Sequence, residues 1–220
     1  NPLFQAWIEA GRQAGYPVTE DMNGYQQEGV GRMDMTTHRG QRWSAAKAYL
    51  YPAMERPNVT VQSGVLTLRV IFEGRRAVGV EVARGSNSEI LHCSREVIIS
   101  AGAINSPQLL QLSGVGPADR LREVGIEVFH DLPGVGENLQ DHLEVYVQHA
   151  ASQPVSIYPA TQPWNKPWIG LQWLLFKQGP GATSHFEAGG FIRSRAGIEH
   201  PNLQYHFLPI AVNYDGSNPV

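Results

Sequence analysis

Cysteine is almost absent from this sequence. The 220 residues include a single cysteine, Cys93, so no disulfide can form within the chain. Its thiol lies in the apolar run Ile90-Leu91-His92-Cys93, which predicts a buried and unreactive side chain. A chain without disulfides is typical of a reducing compartment, and we therefore expect a cytoplasmic protein.

An excess of one charge and long apolar runs are also missing. Charged residues make up 17% of the chain, and the formal net charge is -3. This balance gives no electrostatic attraction to nucleic acid or to an anionic membrane surface, so no nucleic-acid partner is expected. No apolar stretch approaches the roughly 20 residues that a membrane-spanning helix needs. These absences favour a globular protein.

Neither end of the sequence resembles a natural terminus. The first 15 residues have apolar side chains at helical spacing and an acidic residue, Glu9, unlike a signal peptide. The chain stops at Ser217-Asn218-Pro219-Val220 without a terminating element. We expect a central fragment of a longer protein.

The common nucleotide and catalytic motifs are missing. There is no G-x-G-x-x-G between a strand and a helix, no P-loop and no G-x-S-x-G. Gly114-Val115-Gly116 and Gly134-Val135-Gly136 each begin like a dinucleotide fingerprint but lack its third glycine. The eight histidines include no H-x-x-x-H pair and there is no cysteine cluster, so no metal site is expected.

The periodicity of the first 150 residues predicts a mixture of helices and strands, an α/β class with mixed α+β character. Apolar residues from Leu3 to Ala14 predict an opening helix, followed by a long irregular segment at 19–42 with a turn at 21–24. Ser44 is a candidate N-cap for a helix to Leu50. Further helices are predicted at 107–112 and 117–124, and strands at 59–61, 65–72, 77–83, 89–93, 96–100 and 126–129. The apolar run Val97-Ile98-Ile99-Ser100 is typical of a strand covered on both faces in a parallel sheet.

A second zone, rich in proline and tryptophan, begins near Ala151. It contains a predicted helix at 169–177 and predicted strands at 185–192 and 203–208. We therefore divide the chain into two domains, residues 1–150 and 151–220.

The stretch GAINSPQLLQLSGVG, residues 102–116, follows the last buried strand of the first domain. Ser106 and Pro107 fit the N-cap and first position of a helix, and Gly114 fits its C-terminal end. Ligands of open α/β sheets bind where strands end in small residues. The alternative is an ordinary connection from strand to helix that contacts no ligand.

Residues 102–116 resemble the second signature of the glucose-methanol-choline family of flavoprotein oxidoreductases. The segment LPGVGENLQDH, residues 132–142, is also similar to that family. Four further segments resemble its choline-oxidising dehydrogenases: residues 13–17, 21–29, 187–194 and 204–209.

The resemblance implies an FAD-binding Rossmann-like domain with a β-meander, followed by the start of a substrate-binding sheet. It implies oxidation of an alcohol, choline, by hydride transfer to FAD, a respiratory electron acceptor, and peripheral association of the full enzyme with the inner membrane. The residues expected to border the cofactor are Thr67, Ala101, Gly102, Asp141 and His142. The family's glycine-rich fingerprint lies before this chain and its catalytic base beyond Val220, so no catalytic residue is named and the isolated fragment is expected to be inactive.

The resemblance also assigns a substrate site to His185, Glu187 and His206. In a strand, His185 and Glu187 would project to one face. Choline carries a quaternary ammonium group that donates no strong hydrogen bond, so a carboxylate and aromatic faces must hold it.

Structural roles are the alternatives for these residues. Glu187 could pair with Arg193, and His206 could be a core or interface histidine. The tryptophans at 164–173 are expected to pack against other residues and not to form an aromatic cage. For the whole protein, the alternatives are a family member acting on another alcohol and a non-enzymatic α/β binding module.

Overall fold

The computed structural model describes residues 1–213, which mix helices with short sheets and confirm the predicted α/β class. The helices are α1 (Pro2–Gln13), α2 (Tyr51–Met54), α3 (Gly102–Leu112), α4 (Ala118–Glu123), α5 (Tyr158–Thr161) and α6 (Lys166–Phe176). The strands are β1 (Gly29–Arg32), β2 (Thr37–His38), β3 (Gln41–Arg42), β4 (Leu66–Glu73), β5 (Arg76–Arg84), β6 (Asn87–His92), β7 (Val115–Gly116), β8 (His130–Asp131), β9 (Ala188–Ile192) and β10 (Leu203–Phe207). No helix within residues 1–213 combines the length and apolarity that crossing a bilayer requires.

Helix α1 forms as its apolar spacing predicts. The side-chain oxygen of Asn1 accepts a hydrogen bond from the Leu3 backbone N–H at 2.9 Å, which caps the first turn. Phe4 and Ile8, one turn apart, are buried on the same face. This face packs on a sheet that is built from distant parts of the chain.

That sheet has the order β1-β9-β10 and is antiparallel throughout. Val30 of β1 lies opposite Gly190 of β9, which in turn lies opposite Tyr205 of β10. Phe4, Ile8, Val30 and Ala188 form the buried cluster between helix and sheet, with Trp7 and Phe207 packed against it. The rings of Trp7 and Phe207 stack at 5.9 Å between centroids.

Two compact units divide the described chain, and one of them is discontinuous. The first unit joins Asn1–Pro57 to the segment that starts at Tyr146, and the second comprises Asn58–Val145. Residues 1–57, predicted to share a domain with 58–150, pack in the structure with the C-terminal segment because β1 pairs with β9. The two domains proposed from sequence stay a prediction for the complete fold.

The second unit contains the predicted β-meander, β4-β5-β6. Helix α3 is tied to it by Ser113, whose hydroxyl accepts a hydrogen bond from Val70 N–H at 2.8 Å and donates one to the Leu109 carbonyl at 2.6 Å. Leu121 of α4 is 1% exposed and is the best-buried large side chain of the described residues. The parallel pair β7-β8 completes the unit.

Several predicted strands differ from the structure. Residues 59–61 and 96–100 belong to no strand, and Ile98 is 78% exposed. A strand needs a hydrogen-bonded neighbour, and within residues 1–213 none pairs with this apolar run. The strand predicted at 126–129 forms instead at 130–131. The segment 19–42, predicted to be irregular, contains β1, β2 and β3, since glycines in β1 hid its strand pattern.

The start of α3 also differs from its prediction. The helix begins at Gly102, so Pro107 lies inside it and Ser106 is not its N-cap. The Ser106 hydroxyl instead reaches back and accepts a hydrogen bond from the Ala101 backbone N–H at 3.0 Å. Gly114 follows the helix with φ +80°, as expected for a C-terminal glycine. Cys93, predicted to be buried, is only partly buried because it follows the edge strand β6.

A methyl group on Gly189 should destabilise the protein, because its Cβ would run into the Met33 sulfur and the Tyr205 carbonyl oxygen. We expect Gly189→Ala to lower the free energy of unfolding by about 1–3 kcal/mol. The matched control is Gly170→Ala in α6, where a Cβ meets open space and the change should be neutral or stabilising. Urea denaturation followed by circular dichroism measures both, and equal stability of the two variants would contradict the packing described above.

Candidate functional site

The segment from Thr183 to Glu187 links a 3₁₀ turn, Pro180–Ala182, to strand β9. It is not a strand, because His185 adopts φ +65°, a left-handed conformation that is rare for residues other than glycine. The strand alternation expected for His185 and Glu187 is therefore wrong. Backbone strain of this kind is often found at functional sites.

The Glu187 carboxylate is largely buried, with 20% of its side chain exposed. The Thr183 hydroxyl donates a hydrogen bond to its Oε1 at 2.8 Å. Arg32 Nη2 lies 3.9 Å from Oε2, but the Arg32 side chain is 80% exposed. An ion pair of this length and exposure contributes only about 0–1 kcal/mol. The carboxylate therefore keeps most of its capacity to attract a further cation.

His185 is half-buried and lines a cavity of about 300 Å³. Burial lowers the pKa of its imidazole below 6.5, while the Glu187 carboxylate and a hydrogen bond to the Pro180 carbonyl act in the opposite direction. The cavity wall is otherwise mostly apolar, and its other lining residues are Ile157, Ala160, Thr161, Ile169, Pro180, Gly181, Leu208, Ile210 and Val212. At neutral pH an uncharged imidazole thus faces this cavity.

His206 lies in β10 opposite Gly189, and its side chain is exposed. Within residues 1–213 His206 is therefore not a core histidine, and the alternative of an interface histidine stays a prediction. Its ring contacts Phe186 edge-on, with 5.9 Å between the centroids. Since Phe186 lies between His185 and Glu187 in the chain, this ring contact links His206 to the segment that carries the other two substrate-site candidates.

Arg193 does not pair with Glu187, contrary to the alternative considered from sequence. Its guanidinium pairs with Glu28 and donates to the carbonyls of Ile198 and Glu199. This cluster fastens the end of β9 to the loop before β1. Arg193 is therefore not a partner of Glu187, whose nearby arginine is the more weakly paired Arg32.

The tryptophans at 164–173 divide into two kinds. Trp173 is partly buried and its indole N–H donates to the Gly40 carbonyl at 2.7 Å, as expected for a packing residue. Trp164 and Trp168 are 69% and 71% exposed. Trp173 thus packs within the described chain, where the Lys177 ammonium group lies 3.8 Å from its ring centroid, and the choice between packing and an aromatic cage stays a prediction.

A groove of about 360 Å³ lies beside Thr67 on the β-meander of the second unit. Polar and apolar side chains line it together; they are Thr60, Gln62, Val65, Thr67, Val80, Val82 and Leu91.

Ala101 and Gly102 lie at the start of α3 and are exposed. Gly102 has φ +88°, and a Cβ built on it would meet no atom within 4 Å, so the space beside its backbone is open. Neither residue lines the groove at Thr67.

Asp141 and His142 are exposed in a segment without regular structure. The His142 backbone N–H donates a hydrogen bond to Asp141 Oδ1 at 2.8 Å, which is a contact between neighbours in the chain. The structure therefore does not gather the five cofactor candidates into one cluster, and their roles stay predictions.

Sequence reasoning missed Thr183. Its side chain touches both His185 and Glu187, yet the sequence offers no periodic signal that would place it there. In a helix, a threonine side chain contacts a glutamate four residues later, but residues 183–187 form neither a helix nor a strand. Within residues 1–213, no group of three or more histidine, cysteine, aspartate or glutamate side chains could hold a metal ion.

Comparison with known proteins points to a single family. Residues 1–144 match the model of the GMC oxidoreductase family. The chain is 56% identical over 216 residues to the oxygen-dependent choline dehydrogenase of Brucella anthropi, covering 98% of this chain and 39% of that protein. It is 58% identical over 223 residues to the enzyme of the same name from Pseudomonas aeruginosa strain LESB58, covering 100% of this chain and 40% of that protein. The chain thus spans about two fifths of the length of these curated relatives.

Solved structures of oxidoreductases share the fold of this chain. An FAD-dependent oxidoreductase from Chaetomium thermophilum superposes with a TM-score of 0.71 at 27% identity, covering 87% of this chain and 34% of that one. Pyridoxine 4-oxidase from Mesorbium loti gives a TM-score of 0.68 at 29% identity, covering 96% of this chain and 36% of that one.

The burial of His185 makes a prediction for its titration. NMR of protein labelled with ¹³C-histidine should show a pKa below 6.5 for His185, with the resonance assigned by its loss in His185→Gln. Glu187→Gln should lower that pKa further, because it removes the charge that favours the imidazolium. A pKa at or above 6.5 in the unmodified protein would contradict this account.

The same shift has a consequence for stability. The unfolded chain takes up the His185 proton near pH 6.5, before the folded chain does. The uncharged state of His185 therefore contributes fully to the free energy of unfolding above pH 6.5. This contribution declines as the pH falls from 6.5 toward the pKa of His185 in the folded chain. Urea midpoints measured between pH 7.5 and 5 should fall less steeply in His185→Gln than in the unmodified protein.

Proposed function

Since this chain belongs to the GMC oxidoreductase family, we propose that it forms the central part of a longer FAD-dependent enzyme that oxidises choline to betaine aldehyde. Two curated choline dehydrogenases are 56% and 58% identical to nearly the whole chain, which supports the reaction. The observation that carries the choice of a cationic alcohol is the carboxylate of Glu187, which is largely buried and paired only weakly with Arg32.

The described residues fit parts of an FAD. The groove beside Thr67, which polar and apolar side chains line together, would receive the adenine, and the exposed start of α3 lets a ligand approach the backbone at Gly102 without meeting a side chain. The names of solved relatives such as the Chaetomium thermophilum enzyme support the same cofactor. FAD, when bound, supplies the hydride acceptor for alcohol oxidation.

Glu187 would hold the quaternary ammonium group of choline. Such a cation has no N–H, so its binding depends on charge and on the faces of aromatic rings. Glu187 supplies the charge, and Phe186 and His206 are the neighbouring rings. By fixing the ammonium end, the site would orient the hydroxymethyl end for reaction.

His185 would contact the substrate as an uncharged imidazole. Its lowered pKa keeps a second positive charge away from the ammonium group and leaves a ring nitrogen that can accept a hydrogen bond. We assign the base that takes the hydroxyl proton to no residue of this chain.

For the electrons, we propose a respiratory acceptor, reached by peripheral association of a cytoplasmic enzyme with the inner membrane. Direct transfer to oxygen is the second candidate, which the names of the Brucella and Pseudomonas relatives favour. Stoichiometric formation of hydrogen peroxide by the purified enzyme would favour oxygen, whereas choline-dependent quinone reduction without peroxide supports the respiratory acceptor.

The full-length protein should carry FAD and use choline. We expect a yellow protein with flavin absorbance that choline bleaches under anaerobic conditions. The rival of a non-enzymatic binding module predicts a colourless protein, and that outcome would contradict the proposal. An alcohol other than choline that bleaches the flavin with a higher kcat/KM would redirect it to another substrate.

Removing the charge of Glu187 should weaken choline binding selectively. We expect Glu187→Gln in the full-length enzyme to raise the KM for choline roughly 30-fold or more, since loss of one partner of a buried charge pair costs about 2–5 kcal/mol. The KM for 3,3-dimethylbutan-1-ol, a neutral alcohol of the same shape, should change little. Glu199→Gln is the matched control, because the Glu199 side chain is 88% exposed and, among residues 1–213, its carboxylate pairs with the exposed His200 alone. An unchanged choline KM in Glu187→Gln would remove Glu187 from the cation site.

A further inference from the structure

We propose that Thr183 is a positioning residue that orients the Glu187 carboxylate toward a bound quaternary ammonium group. This inference rests on the proposed function, because it assigns Thr183 to the same cation site. Thr183 is partly buried at the end of the 3₁₀ turn, directly before the left-handed bend at His185.

The Thr183 hydroxyl makes one hydrogen bond to His185 and another to Glu187. It accepts a hydrogen bond from the His185 backbone N–H at 3.1 Å and donates its one hydrogen to Glu187 Oε1 at 2.8 Å. The Met35 sulfur lies 3.4 Å from the same hydroxyl, but a carboxylate is the much stronger acceptor. The hydrogen is therefore assigned to Glu187.

The backbone makes this contact possible. Residues four positions apart face one another in a helix, and in a strand they lie too far apart to bond. Here the φ of +65° at His185 folds the chain back, so that Glu187 returns to Thr183 just before β9 begins. The strained conformation of His185 thus makes possible the hydrogen bond between the Thr183 hydroxyl and the Glu187 carboxylate.

Glu187 needs such a restraint. A free glutamate side chain samples many rotamers, and fixing it is entropically unfavourable. Arg32, 3.9 Å from Oε2 and largely exposed, offers a competing orientation toward solvent. With Oε1 held by Thr183, Oε2 stays oriented without a strong cationic partner and is available to a substrate cation.

The test uses the full-length holoenzyme and three variants: Thr183→Val, which keeps the shape and removes the hydroxyl, Thr183→Ser, which keeps the hydroxyl, and Glu187→Gln. Tetramethylammonium serves as a non-reacting cation whose Kd is measured by calorimetry, together with the KM for choline. We expect Thr183→Val to raise both about tenfold, as for loss of a hydrogen bond to a charged group. Thr183→Ser should restore both values.

Two readouts separate positioning from a general structural role. The kcat/KM for 3,3-dimethylbutan-1-ol should stay within about twofold in Thr183→Val, because that alcohol has no charge for Glu187 to attract. In the Glu187→Gln background, adding Thr183→Val should not weaken cation binding further, since the two residues act through one contact.

Each contrary result overturns the proposal, but in a different way. If Glu187→Gln raises the choline KM and Thr183→Val changes nothing, the positioning role fails while the proposed function stands. Equal losses for choline and the neutral alcohol, or no rescue by serine, would make Thr183 structural only. If Glu187→Gln itself leaves cation binding unchanged, the cation site and the role of Thr183 fail together.

Discussion

The antiparallel pairing of β1 with β9 is the contact on which the first unit depends. It joins residues near position 30 to residues near position 190, and its core is completed by α1 from the start of the chain. The pairing continues past the strand ends, because the Met33 backbone N–H donates to the Glu187 carbonyl at 3.1 Å. The backbone of the candidate site at Glu187 is therefore hydrogen-bonded directly to the sheet.

Close approach of backbones explains why this sheet is rich in glycine. Gly31 and Gly189 lie opposite each other in β1 and β9, and a Cβ on either would collide with backbone atoms or with the Met33 side chain. The helix-facing side carries Val30 and Ala188, which are buried beneath Phe4 and Ile8. Val30 and Ala188 thus pack against the helix on one face, while Gly31 and Gly189 on the other face let neighbouring backbone atoms approach closely.

The electrostatic character of the site follows from how its charges are distributed. Arg193 is held by Glu28 and two carbonyl groups, and Arg32 is mostly in solvent, so neither neutralises Glu187 strongly. The partly buried carboxylate of Glu187 accepts a hydrogen bond from a neutral hydroxyl, and burial disfavours the protonated form of His185. The candidate site therefore carries one negative charge that its neighbouring arginines compensate only weakly.

The sequence by itself determined the helices α1, α4 and α6, the β-meander and the family, because these depend on local periodicity and on a contiguous run such as residues 102–116. Through resemblance it also predicted a substrate site at His185, Glu187 and His206. Only the tertiary structure decided that residues 1–57 pack with the C-terminal segment, that Arg193 is committed to Glu28, and that Thr183 bonds to Glu187. The physical reason is that these contacts depend on pairing between distant strands and on a left-handed bend at His185, and neither leaves a periodic pattern in the chain.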